Sequence, residues 1–88
     1  MNNDTPIIMY TTSWCSDCHR AKYFLDTYGF EYTEIDIEDN PDGLDFVERV
    51  NDGNRVVPTI VLGDGSMLVE PSLATLASKF DVTLDRYA

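Results

Sequence analysis

Apolar residues along this chain come in short blocks whose spacing alternates between that of strands and that of helices. Pro6-Ile7-Ile8-Met9-Tyr10-Thr11 is brief, apolar and β-prone, which predicts a first strand buried on both faces of a partly parallel sheet. Beyond it, Ala21, Phe24, Leu25 and Tyr28 recur at i, i+3, i+4 and i+7 with Gly29 behind them. They predict an amphipathic helix beginning near Ser16. Phe30 to Ile37 reads as a second strand, aromatic and β-branched, its alternation broken by the placing of Glu31, Glu34 and Asp36. Asn40-Pro41 supplies an N-cap and a first-turn proline for a second helix. Its apolar face is Leu44, Phe46, Val47 and Val50, and it ends at Gly53.

A third strand follows, and it must start after Pro58 because proline cannot donate within a central ladder. Gly63-Asp64-Gly65-Ser66 turns the chain into Met67-Leu68-Val69, which closes a hairpin. Ser72 then caps a last helix in which Leu73, Leu76, Ala77 and Phe80 repeat the helical spacing. The order is β-α-β-α-β-β-α. A strand, helix and strand in succession form a right-handed crossover, so the first two strands lie parallel, and the hairpin adds an antiparallel pair. The expected fold is α/β: a four-stranded mixed sheet with three helices, and a core drawing on Tyr10, Phe24, Tyr28, Phe46 and Phe80. This topology brings Pro58 toward the start of the first helix.

The chemistry gathers at that helix start, in Trp14-Cys15-Ser16-Asp17-Cys18. Unpaired N–H groups at a helix N-terminus favour an anion, so Cys15 is placed to act as a thiolate. Cys18, one turn on and on the same side, is close enough to form a disulfide with it. Cys15 can attack and Cys18 can resolve. Asp17, between them, is expected to oppose part of the helix-terminal effect and leave Cys15 moderately acidic. Cys-x-x-Cys is also half of a tetrahedral zinc site, but the other half is missing: His19 is the only histidine, and it reads as a solvent-facing helix residue. No bound metal or cofactor is expected. Trp14 divides evenly between a packing aromatic and a shield over the thiol that touches substrate.

Composition narrows the partners. Sixteen acidic residues against six basic ones give a formal charge of −10, which repels phosphate backbones and anionic membrane surfaces, so neither nucleic acid nor membrane is expected as a partner. At 88 residues there is room for one domain, 1–88, expected to be a monomer. The first six residues lack the charge and apolar run of a secretory leader, and two cysteines are too few for a secreted disulfide scaffold. A cytoplasmic protein is expected.

Trp14-Cys15-Ser16-Asp17-Cys18 after a first strand, followed by Val57-Pro58-Thr59, resembles the glutaredoxin branch of the thioredoxin-fold superfamily. Met9 to Cys15, Asp36-Ile37-Glu38 and Asn51 to Thr59 look like the mycoredoxins, the glutaredoxin-like enzymes of bacteria that use mycothiol. By itself an X-Pro bond at Pro58 is expected to be trans, since only about 5–6% are cis in folded proteins. The resemblance implies cis instead. It further implies that Val57, Pro58 and Thr59 with Trp14 receive the substrate, Val57 pairing like an added strand. The implied activity is reduction of mixed disulfides between client proteins and a low-molecular-weight thiol.

Glutathione-using relatives usually carry a basic residue shortly before the active-site segment, whereas Met9 to Ser13 has none, and Val69-Glu70-Pro71-Ser72 replaces their Gly-Gly-acidic stretch. A basic-poor site favours mycothiol, which presents neutral hydroxyls, over the carboxylates of glutathione. Two other readings remain: a ribonucleotide-reductase redoxin reduced by thioredoxin reductase, and a non-catalytic or iron–sulfur-carrying binding module.

Overall fold

A computed structural model describes residues 6–84. The N-terminal segment read above as lacking a leader lies, but for Pro6, outside the described residues. The elements run β1 (Ile7–Thr11), α1 (Ser16–Thr27), β2 (Thr33–Asp36), α2 (Pro41–Val50), β3 (Thr59–Leu62), β4 (Met67–Val69) and α3 (Leu73–Phe80). Their order along the sheet is β2-β1-β3-β4, with β1 parallel to β2 and antiparallel to β3, and β3 antiparallel to β4. The expected order and sheet are therefore present.

Local sequence accounts for the ends of the helices. Asn40 Oδ1 accepts the Gly43 N–H at 2.8 Å, Ser72 Oγ accepts the Thr75 N–H at 3.1 Å, and Pro41 opens α2 where its missing N–H costs nothing. Gly29, at φ +78°, turns the chain out of α1. Gly43 has a packing role: a Cβ there would lie 2.9 Å from Ile35 Cγ2, so the bare backbone lets α2 sit against β2.

β2 is half the length of the Phe30–Ile37 strand expected from its residues. A ladder extends only as far as its partner, and β1 offers five residues, pairing Ile8 with Thr33 through Thr11 with Asp36. Phe30 leaves the sheet: its N–H donates to Leu25 O at 2.9 Å and its ring packs 4.8 Å from that of Phe80.

Alternation in β1 divides the interior. Ile7 and Met9 join Phe24, Leu25, Ile60, Leu62 and Leu76 in the larger cluster beneath α1 and α3. Val47, Ile37 and Val57 form a smaller one with the two cysteines, against which Tyr10 and Phe46 stack at 4.9 Å. Of the five aromatics expected in the core, Phe24 is fully buried while Tyr10, Tyr28, Phe46 and Phe80 are half-buried at its margins.

Candidate active site

The two sulfurs sit where the thin side of the sheet meets the start of α1. Cys15 is the N-cap residue, extended at φ −88° and ψ 112°, and its Sγ accepts the Cys18 N–H at 3.0 Å. A sulfur thus does the work usually given to a Ser or Asp oxygen, at the helix end where negative charge is favoured. Cys15 is 7% exposed, yet it lines an open groove of about 290 Å³ with Trp14, Ser16, Asp17, Arg55 and Glu70. Reagents can reach it from there.

Cys18 is fully buried. Burial pushes its thiol up to about 12, and the side-chain hydrogen bond with Cys15 adds to the rise, against smaller opposing effects of the Thr12 backbone and the Lys22 charge. Cys18 is held as a thiol. Both cysteines are free.

Val57 and Pro58 stand beside this pair. The Cys15 thiol points to the Val57 carbonyl at 3.7 Å, so β3 does deliver the Pro58 loop to the start of α1. The Val57–Pro58 bond is cis, which corrects the trans expectation drawn from the residues alone; surrounding structure selects the isomer in an ordered loop. Thr59, wholly buried, is fixed by bonds from its Oγ1 to Val56 O at 2.7 Å and from Asn51 Nδ2 to that Oγ1 at 3.3 Å. Its side chain anchors the loop from behind.

Trp14 is 70% exposed, which sets aside the packing alternative, and its Nε1–H donates to Glu38 Oε2 at 2.9 Å. Asp17 faces Arg20 at 2.8 Å, so its carboxylate does not stand alone beside the sulfurs. His19 is exposed, as expected, with Nε2 3.1 Å from Ser13 O. Among the described residues, no three His, Cys, Asp or Glu side chains are grouped to hold a metal ion, and no helix is long and apolar enough to cross a membrane.

The Glutaredoxin family model matches residues 7–67, which takes in β1, both cysteines, the cis-proline loop and the start of β4. The chain belongs to the glutaredoxin family. A Mycobacterium tuberculosis protein classed as a glutaredoxin is 45% identical over 73 residues, 83% of this chain and 87% of that protein. Mycoredoxin 1 of Corynebacterium glutamicum is 36% identical over 75 residues, 85% and 92% of the two chains. The thioredoxin-like protein BC3987 superposes with a TM-score of 0.71 at 25% identity, over 82% of this chain and 96% of that one, and attests the fold. The NrdH-redoxin of Escherichia coli superposes with a TM-score of 0.62 at 25% identity, over 72% and 79%. This glutaredoxin is accordingly a thiol–disulfide oxidoreductase.

The structure adds residues to the glutaredoxin site that the sequence reading missed. Arg55 lines both the groove at Cys15 and a neighbouring one of about 360 Å³, where it meets Thr12, Trp14, Ile37, Glu38 and Leu44. Its Nε donates to Glu48 Oε2 at 3.3 Å, so this cation arrives already paired. Thr11 Oγ1 and Lys22 Nζ both donate to Glu34 Oε2, at 2.9 and 3.0 Å, and the Lys22 charge also acts on Cys18. Glu34, Glu38 and Arg55 come from positions distant from the cysteines; the place of Arg55 three residues before Pro58 was the one signal available.

Proposed function

We propose that this glutaredoxin reduces mixed disulfides between client proteins and a low-molecular-weight thiol, mycothiol in preference to glutathione. Cys15 is the attacking thiolate and Cys18 its resolving partner. The observation that carries this is the setting of the Cys15 sulfur: it caps α1 through the Cys18 N–H at 3.0 Å and faces the Val57 carbonyl at 3.7 Å, in an open groove.

Cys15 Sγ attacks the cofactor sulfur of the client's mixed disulfide. A bond forms between Cys15 and the cofactor as the client's S–S bond breaks, and the client leaves as a thiolate that takes a proton. A second cofactor thiolate then attacks the cofactor sulfur, freeing Cys15 and forming the cofactor disulfide. Alternatively Cys18 loses its proton and attacks Cys15, releasing the cofactor thiol and leaving a Cys15–Cys18 disulfide. Trp14 and the Val57 backbone receive the client segment, which can add as an extended strand beside the cis-proline loop. Likeness to Mycoredoxin 1 supports a low-molecular-weight thiol as reductant. Support for mycothiol also comes from Met9 to Ser13, which carries no cation, and from Arg55 being shared with Glu48. The cytoplasm, where thiols stay reduced, is the compartment that suits such a pair.

The test is one client protein carrying either mycothiol or glutathione, offered with the matching free thiol to the parent, Cys15→Ser and Cys18→Ser. The parent should release mycothiol faster, Cys15→Ser should be inactive, and Cys18→Ser should retain turnover. Activity in Cys15→Ser would overturn the assignment. Likeness to the NrdH-redoxin favours a second reading, reduction by thioredoxin reductase; direct reduction of the oxidised chain by that enzyme, with no response to either thiol, would establish it instead.

A further inference from the structure

Cys18 must give up a proton before it can attack a mixed disulfide on Cys15, yet it is fully buried. Burial and the hydrogen bond with Cys15 hold that proton, while the Thr12 backbone and the Lys22 charge act the other way. Lys22 brings a full positive charge to this task, and its position is fixed by the fold. It follows Cys18 by four residues on α1, so the two side chains share a helix face with Cβ atoms about 5–6 Å apart. Long helical side chains lean back over the preceding turn, which here is the turn of Cys18.

The ammonium is also tied in place. Lys22 Nζ donates to Glu34 Oε2 at 3.0 Å, and Thr11 Oγ1 donates to the same oxygen at 2.9 Å. Glu34 on β2 pairs with Met9 of β1, and Thr11 lies two residues along β1 on the same face. Thr11 is buried and the Lys22 side chain is only 25% exposed, so these charges are screened less than a pair in open water. Lys22, one helical turn from the resolving residue, is thus held together with its counterion. Cys15 also acts on Cys18, and His19 on Glu34.

We propose that Lys22 is a positioning residue for the resolving step, its ammonium favouring the Cys18 thiolate as it forms, and that Glu34, by sharing that charge, limits how fast Cys18 attacks. The proposal rests on the thiol-exchange reading above and assigns the control of its second step. Cys18 releases its proton to water and its thiolate attacks the Cys15 sulfur. The bond from Cys15 to the departing sulfur breaks, the Cys15–Cys18 disulfide forms, and the departing thiolate takes up a proton.

The experiment gives each reduced protein one equivalent of dithiodipyridine, a neutral aromatic disulfide, and follows thiopyridone release by stopped-flow absorbance well below the melting temperature. Attack by Cys15 releases the first thiopyridone and leaves a mixed disulfide. Attack by Cys18 releases the second, at a rate independent of reagent concentration. That rate follows the thiolate fraction, offset in part by falling nucleophilicity, so removing one charge of this half-buried pair should change it about twofold to fivefold. Lys22→Met should slow the second release by that factor, Glu34→Gln should speed it, and Lys22→Arg should keep the parent rate. Between about pH 8 and pH 9.5, above the range in which histidine changes charge, the Lys22→Met profile should lie at higher pH than the parent's and the Glu34→Gln profile at lower pH. Both variants break the same ion pair, so a purely structural role would move them in one direction. Changes of the same sign, unchanged rates, or an equal change in both releases overturn the assignment of Lys22 and Glu34 and leave the thiol-exchange reading standing. A second release that is missing in the parent, or that persists in Cys18→Ser, overturns Cys18 as resolving partner and this assignment with it.

Discussion

The Cys18 sulfur lies wholly out of solvent, whereas Cys15 borders an open groove, although the two side chains are alike and only three residues apart. Iodoacetamide should therefore modify a single cysteine in the native protein and both after denaturation, counted by mass spectrometry; rapid labelling of Cys18→Ser and none of Cys15→Ser would identify the site. A buried thiol raised from 9.0 to about 12 also ties stability to pH. The folded state holds this proton more tightly than the unfolded one, so the contribution is full below pH 9.0 and is lost as pH rises toward about 12. Urea midpoints between pH 8 and roughly pH 11 should fall, and should fall less in Cys18→Ala, whose lost packing is the same at every pH. The cysteine pair was legible in the sequence because i, i+3 spacing at a helix start is local information. Glu38 and Arg55 were not, because each is an ordinary polar residue until the fold brings it to the groove beside Trp14.

Elements are joined here by a few specific contacts. Asn40→Ala removes the acceptor of the Gly43 N–H and should cost about 1 kcal/mol in chemical unfolding, the usual worth of an N-cap. β2 is tied to α1 through Lys22 and Glu34. Burial by itself would raise the Glu34 carboxyl, but the bonds from Lys22 and Thr11 outweigh it and hold it below the ordinary 4.5. A carboxyl lowered in the folded state contributes stability above the unfolded value, and the contribution disappears as pH falls through the folded one. Lys22→Met should thus lower the Tm at pH 7 and leave it close to the parent's at roughly pH 2.5, read by thermal melts. Helix starts and the position of β3 were legible because Asn40-Pro41, Ser72 and Pro58 act on their own backbone. The short β2 was not, because its length is set by the five residues of β1 and by the pull of the Phe30 ring into the core.

Across the whole molecule the sheet is covered unequally. Most of the large apolar side chains pack in the cluster beneath α1 and α3, and a smaller cluster joins α2 to the two cysteines at the start of α1. Phe24, fully buried among Tyr28, Phe30 and Phe80, is central to the larger cluster, and Phe24→Ala should destabilise the protein by about 3–5 kcal/mol, measured by urea unfolding. The same change should leave the ability of Cys15 to be alkylated in the remaining folded protein intact, because Cys15 packs in the smaller cluster with Ile37, Val47 and Val57 and not in the one around Phe24. What the chain determined by itself was the order of elements, their caps and the pair of sulfurs, all of which arise from interactions between residues a turn or less apart. The cis form of Val57–Pro58, the burial that keeps Cys18 protonated, and the grooves shared by Trp14 and Arg55 were decided only by tertiary structure. They depend on distances between segments about 40 residues apart, which exist only after the strands have paired and the helices have closed over them.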